Sequence, residues 1–300
     1  MISIIGAGRV GTSIAFLCAT NSVDDILLVN RTKNKALGEA LDLSNAIPPN
    51  SSISISGTDD YSEINDSKIV VIAASTGIYL NSRSELIGSQ VKMIKSIASQ
   101  VRHFSPDATV LIVSNPLDVL TFCFQKESLF SRNKVIGIAS SLDSSRLRFI
   151  LSEKLGVKQS QISDSIVLGE HGDTMVPIFS QTKIDGKNLS NFLTHYQKEI
   201  ISRELRDYWK LLRNYKSRSH FGIAKNTFDV INSIVKNNPL AIPASVSLDG
   251  EFGEMGVSMG VPVVINKNGV FEIQEITLNK FESESLKISA QTIRDCIKSV

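Results

Sequence analysis

A short segment near the middle of the chain places a histidine between carboxylates, at the point where an apolar run ends. It reads Gly169-Glu170-His171-Gly172-Asp173 and follows Ile166-Val167-Leu168, which is typical of a buried strand. Glycines let the backbone turn sharply there, and an imidazole has an ordinary pKa suited to proton transfer near neutral pH. The segment therefore indicates either a proton-transfer residue at a strand end or a loop histidine bonded to a neighbour.

A second segment, near the N-terminus, has a glycine spacing that suits phosphate binding. Gly6-Ala7-Gly8-Arg9-Val10-Gly11 follows the apolar run 2–5 and precedes a helical pattern of apolar residues. In such a segment the first glycine permits a tight turn, the second lets a pyrophosphate approach the backbone, and the third lets the helix pack on the strand. The strand, turn and helix together predict a dinucleotide-binding site.

The residue after the second apolar run bears on which dinucleotide binds. The run 26–29 ends at Asn30, where an NAD site usually has an acid that binds the ribose hydroxyls. Without that carboxylate a 2′-phosphate is not repelled, and Arg31 and Lys33 could bind one. We therefore expect NADP rather than NAD as the cofactor. The alternative is NAD, with Arg31 and Lys33 as ordinary surface cations.

These segments must be positioned by a sheet and its helices. Apolar runs at 26–29, 69–74, 110–113 and 135–138 alternate with helical patterns, which predicts a doubly wound parallel sheet in an α/β domain over residues 1–140. Asn115 follows one run directly before Pro116, at the carboxyl edge where such sheets bind ligands. Residues 141–300 mix helical patterns with a hairpin signal at Asn268-Gly269, which predicts an α+β domain.

Composition argues against several classes of protein. The chain has 300 residues, 42% of them hydrophobic, and its net charge of +2 gives no strong field for nucleic acid. We expect no membrane span and no secretory signal, since no apolar run is long enough. Cys18, Cys123 and Cys296 are far apart and lack metal-ligand spacing. They predict buried free thiols in a reducing, cytoplasmic setting and no bound metal.

Five ordered motifs together resemble the lactate/malate dehydrogenase family, and its malate branch most closely. Besides the glycine and histidine segments, they are Ala40-Leu41-Asp42-Leu43, Ser114-Asn115-Pro116-Leu117-Asp118-Val119 and Leu142-Asp143-Ser144-Ser145-Arg146. The resemblance covers nearly the whole chain. It implies a Rossmann domain at 1–140, a substrate-binding and catalytic domain at 141–300, a nicotinamide cofactor, a small 2-hydroxy acid as substrate, and a homodimer or homotetramer.

The resemblance also implies roles for individual residues. His171 matches the proton donor and acceptor, and Asp143 matches the carboxylate that orients it. Arg146 matches the arginine that binds the substrate carboxylate, and Arg83 the loop arginine that polarises the reacting carbonyl. Asn115 matches a residue near the nicotinamide and the substrate. The residues alone also allow Asp143 as a helix N-cap, Arg83 as an exposed residue in a first helical turn, and Asn115 as a strand-end turn.

The loop before Arg83 departs from the family pattern. The malate branch usually has another arginine there, which binds the second carboxylate of the substrate, and lactate enzymes have a glutamine. This chain has Gly77-Ile78-Tyr79, and the apolar Ile78 would not offset the desolvation of a carboxylate. Arg218 falls where relatives usually have a small or aromatic residue beside the substrate. We hypothesise that Arg218 supplies the missing charge; alternatively, it continues the basic face of the preceding helix.

Three function classes remain open. The first is an NAD(P)-dependent dehydrogenase acting on malate and oxaloacetate, as in the tricarboxylic acid cycle. The second has the same chemistry but uses a monocarboxylate such as lactate, given Ile78 and Tyr79. The third is a non-catalytic, dinucleotide-binding sensor, which the presence of His171, Asp143, Arg146 and Arg83 argues against.

Overall fold

The N-terminal half of the chain alternates strands with helices. The computed structural model describes residues 1–77, 83–216 and 219–300, without the side chains of residues 83–86. In chain order, the elements of this half are β1 (Ile2–Ile5), α1 (Arg9–Thr20), β2 (Ile26–Val29), α2 (Lys33–Ser44), β3 (Ile55–Thr58), β4 (Ile69–Ile72), α3 (Arg83–Phe104), β5 (Thr109–Ile112), α4 (Leu117–Ser128) and β6 (Val135–Gly137).

The second half mixes helices with short strands and one long hairpin. Its elements are α5 (Ser140–Leu155), β7 (Ile162–Ser163), β8 (Val167–Leu168), β9 (Val176–Pro177), β10 (Lys183–Ile184), β11 (Lys187–Asn188), α6 (His195–Tyr215), α7 (Phe221–Lys236), β12 (Leu240–Asp249), β13 (Met255–Asn266), β14 (Gly269–Ile273) and α8 (Lys280–Lys298). Short 3-10 helices lie at Tyr61–Ile64, Arg132–Lys134, Gln159–Gln161, Leu189–Asn191 and Glu251–Gly253.

In the part of the chain that the structure describes, nine strands form one sheet, ordered β14-β13-β12-β6-β5-β4-β1-β2-β3. The six strands from β6 to β3 are parallel. Strands β1, β2, β4 and β5 are buried on both faces, which explains why their sequences are continuous apolar runs. The order reverses between β1 and β4, where a doubly wound sheet forms its ligand crevice. The predicted α/β fold is thus confirmed.

The second half extends this same sheet, which the sequence did not indicate. Strand β12 pairs antiparallel with β6 through Ser245 and Gly137, and β13 and β14 continue outward from it. A Cβ at Gly137 would lie 2.8 Å from the Cβ of Ser245, so glycine lets the two strands approach. The predicted hairpin is present between β13 and β14, but its turn lies one residue earlier than expected, at Lys267 and Asn268, since Gly269 already pairs with Asn266. The α+β character of residues 141–300 is also confirmed.

The N-cap expectation for Asp143 is wrong. Helix α5 begins at Ser140 with Ala139 in the N-cap position, and Asp143 lies inside the first turn. The strand before it, β6, ends at Gly137, one residue before the end of the predicted run 135–138. A carboxylate in a first turn still interacts favourably with the helix dipole. Asp143 and Arg146 share one face of α5, as their three-residue spacing predicts.

The apolar side chains form two clusters. The larger covers both faces of the sheet, and the smaller joins α5 to α6 through residues such as Leu147, Ile201 and Leu205. Cys18 and Cys123 are buried free thiols, and burial raises the pKa of Cys18 to about 12. Cys296 is in no disulfide either, but it is only half-buried, contrary to expectation, because it lies near the end of α8. Within the described ranges, no helix is long and apolar enough to cross a membrane.

Candidate active site

The glycines after β1 shape the first part of the site. Gly6 has a φ of +111°, and a Cβ there would lie 2.7 Å from the backbone of Ala73, which follows β4. A Cβ at Gly11 would lie 2.0 Å from the carbonyl oxygen of Gly6. At Gly8, the N-cap of α1, a Cβ would meet no atom within 4 Å. The first and third glycines are therefore required by close packing, whereas the second faces open space.

That open space lies in front of the N-terminus of α1. No side chain caps this helix, and its first turn contains no acidic residue. The first backbone N–H groups of a helix lack partners within it and attract anions. Arg9 is the exposed first residue of α1, and Val10 packs partly against the core. These residues fit the pyrophosphate of a dinucleotide.

The end of β2 holds the residues predicted to choose between NAD and NADP. The Asn30 side chain donates to the carbonyl of Thr32 at 3.2 Å, so it stabilises its own turn. Arg31 donates to the carbonyl of Thr76 at 3.3 Å, across the crevice between β1 and β4. Lys33 lies 3.7 Å from Asp59, which follows β3. The two cations thus have protein partners, and one of these partners is a carboxylate.

A dense set of contacts fixes the segment 169–173, which we call the His171 loop. Gly169 has a φ of +83°, and it exchanges two backbone hydrogen bonds of 2.9 Å with Gly260 of β13. A Cβ at Gly169 would lie 2.5 Å from the hydroxyl of Ser289 in α8. That hydroxyl accepts the Glu170 N–H at 2.7 Å, and the Glu170 carboxylate accepts from both the N–H and the hydroxyl of Thr174. The loop therefore holds His171 in one place.

Asp143 of α5 contacts the His171 side chain, and Arg146 of the same helix contacts Asp143. Nδ1 of His171 donates to Asp143 Oδ2 at 2.6 Å, and Nη1 of Arg146 donates to Asp143 Oδ1 at 3.1 Å. The Asp143 side chain is 1% exposed, that of Arg146 12% and that of His171 18%. Both side chains next to the buried carboxylate thus keep an accessible edge.

Burial and charge act in opposite directions on His171. Burial alone would lower the pKa of the imidazole, and the nearby Arg146 charge lowers it further. The Asp143 carboxylate opposes both through its charge and its hydrogen bond, and the net result is a raised pKa for His171. With Nδ1 bonded to Asp143, the proton that His171 can exchange is on Nε2. Arg146 beside it can bind a carboxylate, so the pair suits a substrate with an acid group next to a reacting oxygen.

Of the remaining predicted site residues, Asn115 lies in the described part of the structure, whereas the side chains of the two loop arginines do not. Asn115 is exposed in the turn between β5 and α4, at the carboxyl edge of the sheet. Arg83 begins α3, but its side chain lies outside the described part of the structure, so its alternative as an exposed first-turn residue stays a prediction. Ile78, Tyr79 and Arg218 also lie outside the described residues. The structure thus brings together His171, Asp143 and Arg146 and does not test the two other arginines.

Two residues near this site were missed by sequence reasoning. Tyr208 of α6 is one of them, and the guanidinium carbon of Arg146 lies 5.3 Å from the centre of its ring. Asp118 is the other, and its carboxylate accepts the backbone N–H of His171 at 2.7 Å. The signal for Asp118 was an acid within the apolar stretch 117–120. Nothing in the sequence pointed to the contact of Tyr208.

Comparisons with known proteins agree with this geometry. Residues 1–137 match the family model "lactate/malate dehydrogenase, NAD binding domain", and residues 140–300 match the model of the family's alpha/beta C-terminal domain. A malate dehydrogenase of Pelagibacter ubique is 35% identical, over 98% of this chain and 94% of that protein.

Solved structures of both branches superpose equally well. The malate dehydrogenase of Aeropyrum pernix is 31% identical with a TM-score of 0.93, covering 100% of this chain and 98% of that one. A lactate dehydrogenase of Cryptosporidium parvum, solved with lactic acid and NAD, is 33% identical with a TM-score of 0.94, covering 99% and 96%.

A parallel dinucleotide-type sheet joined to a histidine–carboxylate–arginine cluster defines a nicotinamide-dependent oxidoreductase of small hydroxy acids. The chain belongs to the lactate/malate dehydrogenase family.

Proposed function

We propose that this enzyme transfers a hydride reversibly between a nicotinamide cofactor and a 2-hydroxy acid, with malate and oxaloacetate as its substrate pair. The observation that carries the proposal is the cluster of His171, Asp143 and Arg146, joined by contacts of 2.6 and 3.1 Å at a partly exposed edge. Malate dehydrogenases among the curated relatives support this choice of substrate.

Residues 1–140 would bind the cofactor and residues 141–300 the substrate. Gly6, Gly8, Arg9, Val10 and Gly11 would hold the pyrophosphate, with Asn30 and Arg31 beside the adenosine ribose and Asn115 near the nicotinamide. When bound, the cofactor supplies the hydride in one direction and accepts it in the other.

The side chains of the His171 cluster manage the proton and the charge of the substrate. Arg146 binds the carboxylate next to the reacting carbon through two N–H groups. In reduction, protonated His171 donates from Nε2 to the substrate oxygen, and in oxidation neutral His171 accepts that proton. Asp143 keeps the ring oriented and stabilises its positive charge. Arg83 would stabilise the negative charge that develops on the reacting oxygen.

The first test is steady-state reduction of oxaloacetate and of pyruvate, each with NADH and with NADPH. Faster turnover of oxaloacetate is the expected result. Preference for pyruvate would assign the enzyme to the monocarboxylate class, with Ile78 and Tyr79 covering an apolar pocket. Nucleotide binding without turnover of any 2-oxo acid would favour the sensor function and contradict the proposed enzyme; nucleotide would then raise the Tm without any reaction.

Arg218 would bind the second carboxylate of the substrate. Its support is chemical: a dicarboxylate needs a cation, and the loop segment Gly77-Ile78-Tyr79 contains none. Arg218→Ala should raise the KM for oxaloacetate at least tenfold and change that for pyruvate little, since a charge-assisted pair contributes about 1.5–3 kcal/mol. Arg213→Ala is the matched control, because it removes the same type of charge from a nearby arginine that stacks on Trp209. Equal KM values for oxaloacetate in the two variants would show that Arg218 does not bind the second carboxylate.

The cofactor would be NADP, since Asn30 leaves a 2′-phosphate unopposed by a carboxylate at that position. The KM for NADPH should be below that for NADH, and Asn30→Asp should reverse the order. A lower KM for NADH in the unmodified enzyme would instead favour NAD. In that case Arg31 and Lys33 serve only the contacts with Thr76 and Asp59.

The enzyme would act as a homodimer or homotetramer in the cytoplasm. Leu37 and Leu41 on α2 are 38% and 72% exposed, which favours burial against another copy. Cys18, Cys123 and Cys296 form no disulfide, which favours a reducing compartment. Light scattering at several protein concentrations measures the mass directly, and a monomer throughout would contradict the oligomer.

A further inference from the structure

Asp118 is a buried acid that the proposed reaction does not use. It lies in the first turn of α4 and is 3% exposed. Its Oδ2 accepts the backbone N–H of His171 at 2.7 Å, and its Oδ1 accepts the hydroxyl of Ser245 at 2.6 Å. Helix α4, strand β12 and the His171 loop therefore meet at one carboxylate.

We propose that Asp118 is a positioning residue for His171, which anchors the backbone of the His171 loop and places a second negative charge near the imidazole. The proposal rests on the proton-transfer function proposed above. Asp143 holds the ring of His171, and Asp118 holds the main chain of the same residue. Because Asn115 lies three residues before Asp118, the turn that carries Asn115 is linked to His171 through this contact.

In the part of the chain that the structure describes, the charged groups that act on His171 come from two helices: α5 contributes Asp143 and Arg146, and α4 contributes Asp118. Glu170 of the His171 loop acts on Asp118, and β12 contributes only the neutral Ser245. Burial and Arg146 lower the pKa of His171, whereas Asp143 and Asp118 raise it. Burial raises the pKa of Asp118 to about 6, with Glu170 acting in the same direction. Asp118 is thus mostly charged above pH 7.

A neutral side chain of the same shape could make the same two hydrogen bonds. An asparagine can accept the His171 N–H with its oxygen and donate to the Ser245 hydroxyl with its nitrogen. It would avoid the cost of burying a charge. The carboxylate therefore supplies something that hydrogen bonding alone does not, and its negative charge near His171 is that contribution.

Asp118→Asn separates the charge from the hydrogen bonds. The readout is the pKa of the His171 imidazole, measured by NMR on histidine-labelled enzyme without substrate. The chain has four histidines, so His171→Asn assigns the signal. We expect the pKa of His171 to fall by about half a unit or more in Asp118→Asn, because a favourable neighbouring charge is lost. An unchanged pKa would overturn the proposal and leave Asp118 with a purely structural function.

Asp173→Asn is the matched control. Asp173 is an exposed carboxylate two residues beyond His171, so the substitution is the same but the lost charge is screened by solvent. The pKa of His171 should stay within about 0.2 units of its original value there. If Asp173→Asn lowers the pKa of His171 as much as Asp118→Asn does, the effect is not specific to Asp118 and the proposal is wrong.

The activity measurement gives a second readout. In Asp118→Asn, the pH above which kcat/KM for 2-oxo acid reduction declines should fall by the same half unit. At pH values above this decline, kcat/KM should be about threefold lower than in the unmodified enzyme, with little loss at pH 6. An equal loss at every pH would overturn the proposal. If the unmodified enzyme reduces no 2-oxo acid, the proposed function fails, and the NMR titration still decides on Asp118.

Ser245→Ala provides the test if Asp118→Asn does not fold. It removes one hydrogen bond from the charged form of Asp118, so the pKa of Asp118 rises and its charge near pH 7 decreases. The pKa of His171 should then fall in the same direction by a smaller amount. No change in the pKa of His171 in a folded Ser245→Ala variant would overturn the proposal.

Discussion

The glycine turn after β1 and the His171 loop are both strand-end turns, but they are built differently. The glycine turn consists of residues close in sequence, and its geometry depends on missing side chains at Gly6 and Gly11. The His171 loop is fixed by side chains from distant segments, including Asp118, Asp143 and Ser289.

The comparison shows two ways of preparing a site for charge. A backbone turn presents N–H groups whose positions are fixed by the fold, so it suits a ligand that binds unchanged. A loop held by carboxylates can adjust the pKa of the residue that it carries, so it suits a proton that must be gained and lost. Substitutions in the first region should change binding or folding, and those in the second should change rate and pH dependence.

The sharpest expected contrast is at His171 itself. His171→Asn should lower kcat by about a hundredfold to ten-thousandfold, because asparagine cannot exchange the proton. The Kd for the nucleotide should be unchanged by calorimetry, since the glycine turn is intact. His195→Asn is the control, because that histidine is 81% exposed at the start of α6 and should retain full activity. A normal kcat in His171→Asn would contradict the proposal that His171 is the proton donor.

Two glycines should separate folding from binding within the other region. Gly11→Ala should lower the free energy of unfolding by about 3 kcal/mol or more, since its Cβ would lie 2.0 Å from the Gly6 carbonyl. Gly8→Ala should change that free energy by less than about 1 kcal/mol, because its Cβ meets open space. It should still raise the Kd for the nucleotide at least tenfold, or about 1.4 kcal/mol. Chemical denaturation measures the free energy of unfolding, and calorimetry measures the Kd for the nucleotide. If both variants change these two quantities alike, the assignment of Gly11 to packing and of Gly8 to nucleotide binding is wrong.

Asp118 should make stability depend on pH in an unusual direction. Its pKa is about 6 in the native protein against an ordinary 3.8, so between those values the native state binds more protons at this site than the unfolded chain does. The contribution of Asp118 to stability is therefore greatest below pH 4 and is lost as the pH rises through 6. Relative to the unmodified enzyme, Asp118→Asn should gain up to about 3 kcal/mol between pH 4 and 7.

Denaturation curves at several pH values measure this difference. Ser245→Ala keeps the carboxylate but removes a hydrogen bond that lowers the pKa of Asp118, so the pH dependence should persist and extend to higher pH. If plots of the free energy of unfolding against pH are parallel for Asp118→Asn and the unmodified enzyme, ionisation of Asp118 does not destabilise the native state and the prediction is wrong.

The smallest effect is expected at Tyr208. Its ring lies against the Arg146 guanidinium, a contact of about 0.5–1 kcal/mol when partly exposed. Tyr208→Leu should raise the KM for the 2-oxo acid about two- to fivefold without changing kcat. Tyr208→Phe keeps the ring and should behave as the unmodified enzyme. A fall in kcat in Tyr208→Leu would mean that the ring also affects His171.

Sequence patterns predicted features that depend on neighbouring residues. Continuous apolar runs gave the buried parallel strands, and the glycine spacing gave the turn before α1. The roles of Asp143 and Arg146 came only from resemblance, and the N-cap expectation for Asp143 was wrong because α5 begins three residues earlier, at Ser140. Asp118 contacts His171 across 53 residues and Ser245 across 127, and no local pattern encodes such distances. Strand β12 was missed because Pro243, Ser245 and Ser247 interrupt its apolar run.

The single bridge between Ser245 and Gly137 has a consequence for dissecting the chain. Strand β12 covers the open side of β6, so residues 1–140 expressed alone would leave a row of unpaired backbone groups there. Exposed edges of this kind recruit other strands, and the fragment would be prone to aggregation. The hairpin β12–β13 thus protects the nucleotide-binding half, and circular permutation or truncation of the enzyme should leave that hairpin attached to β6.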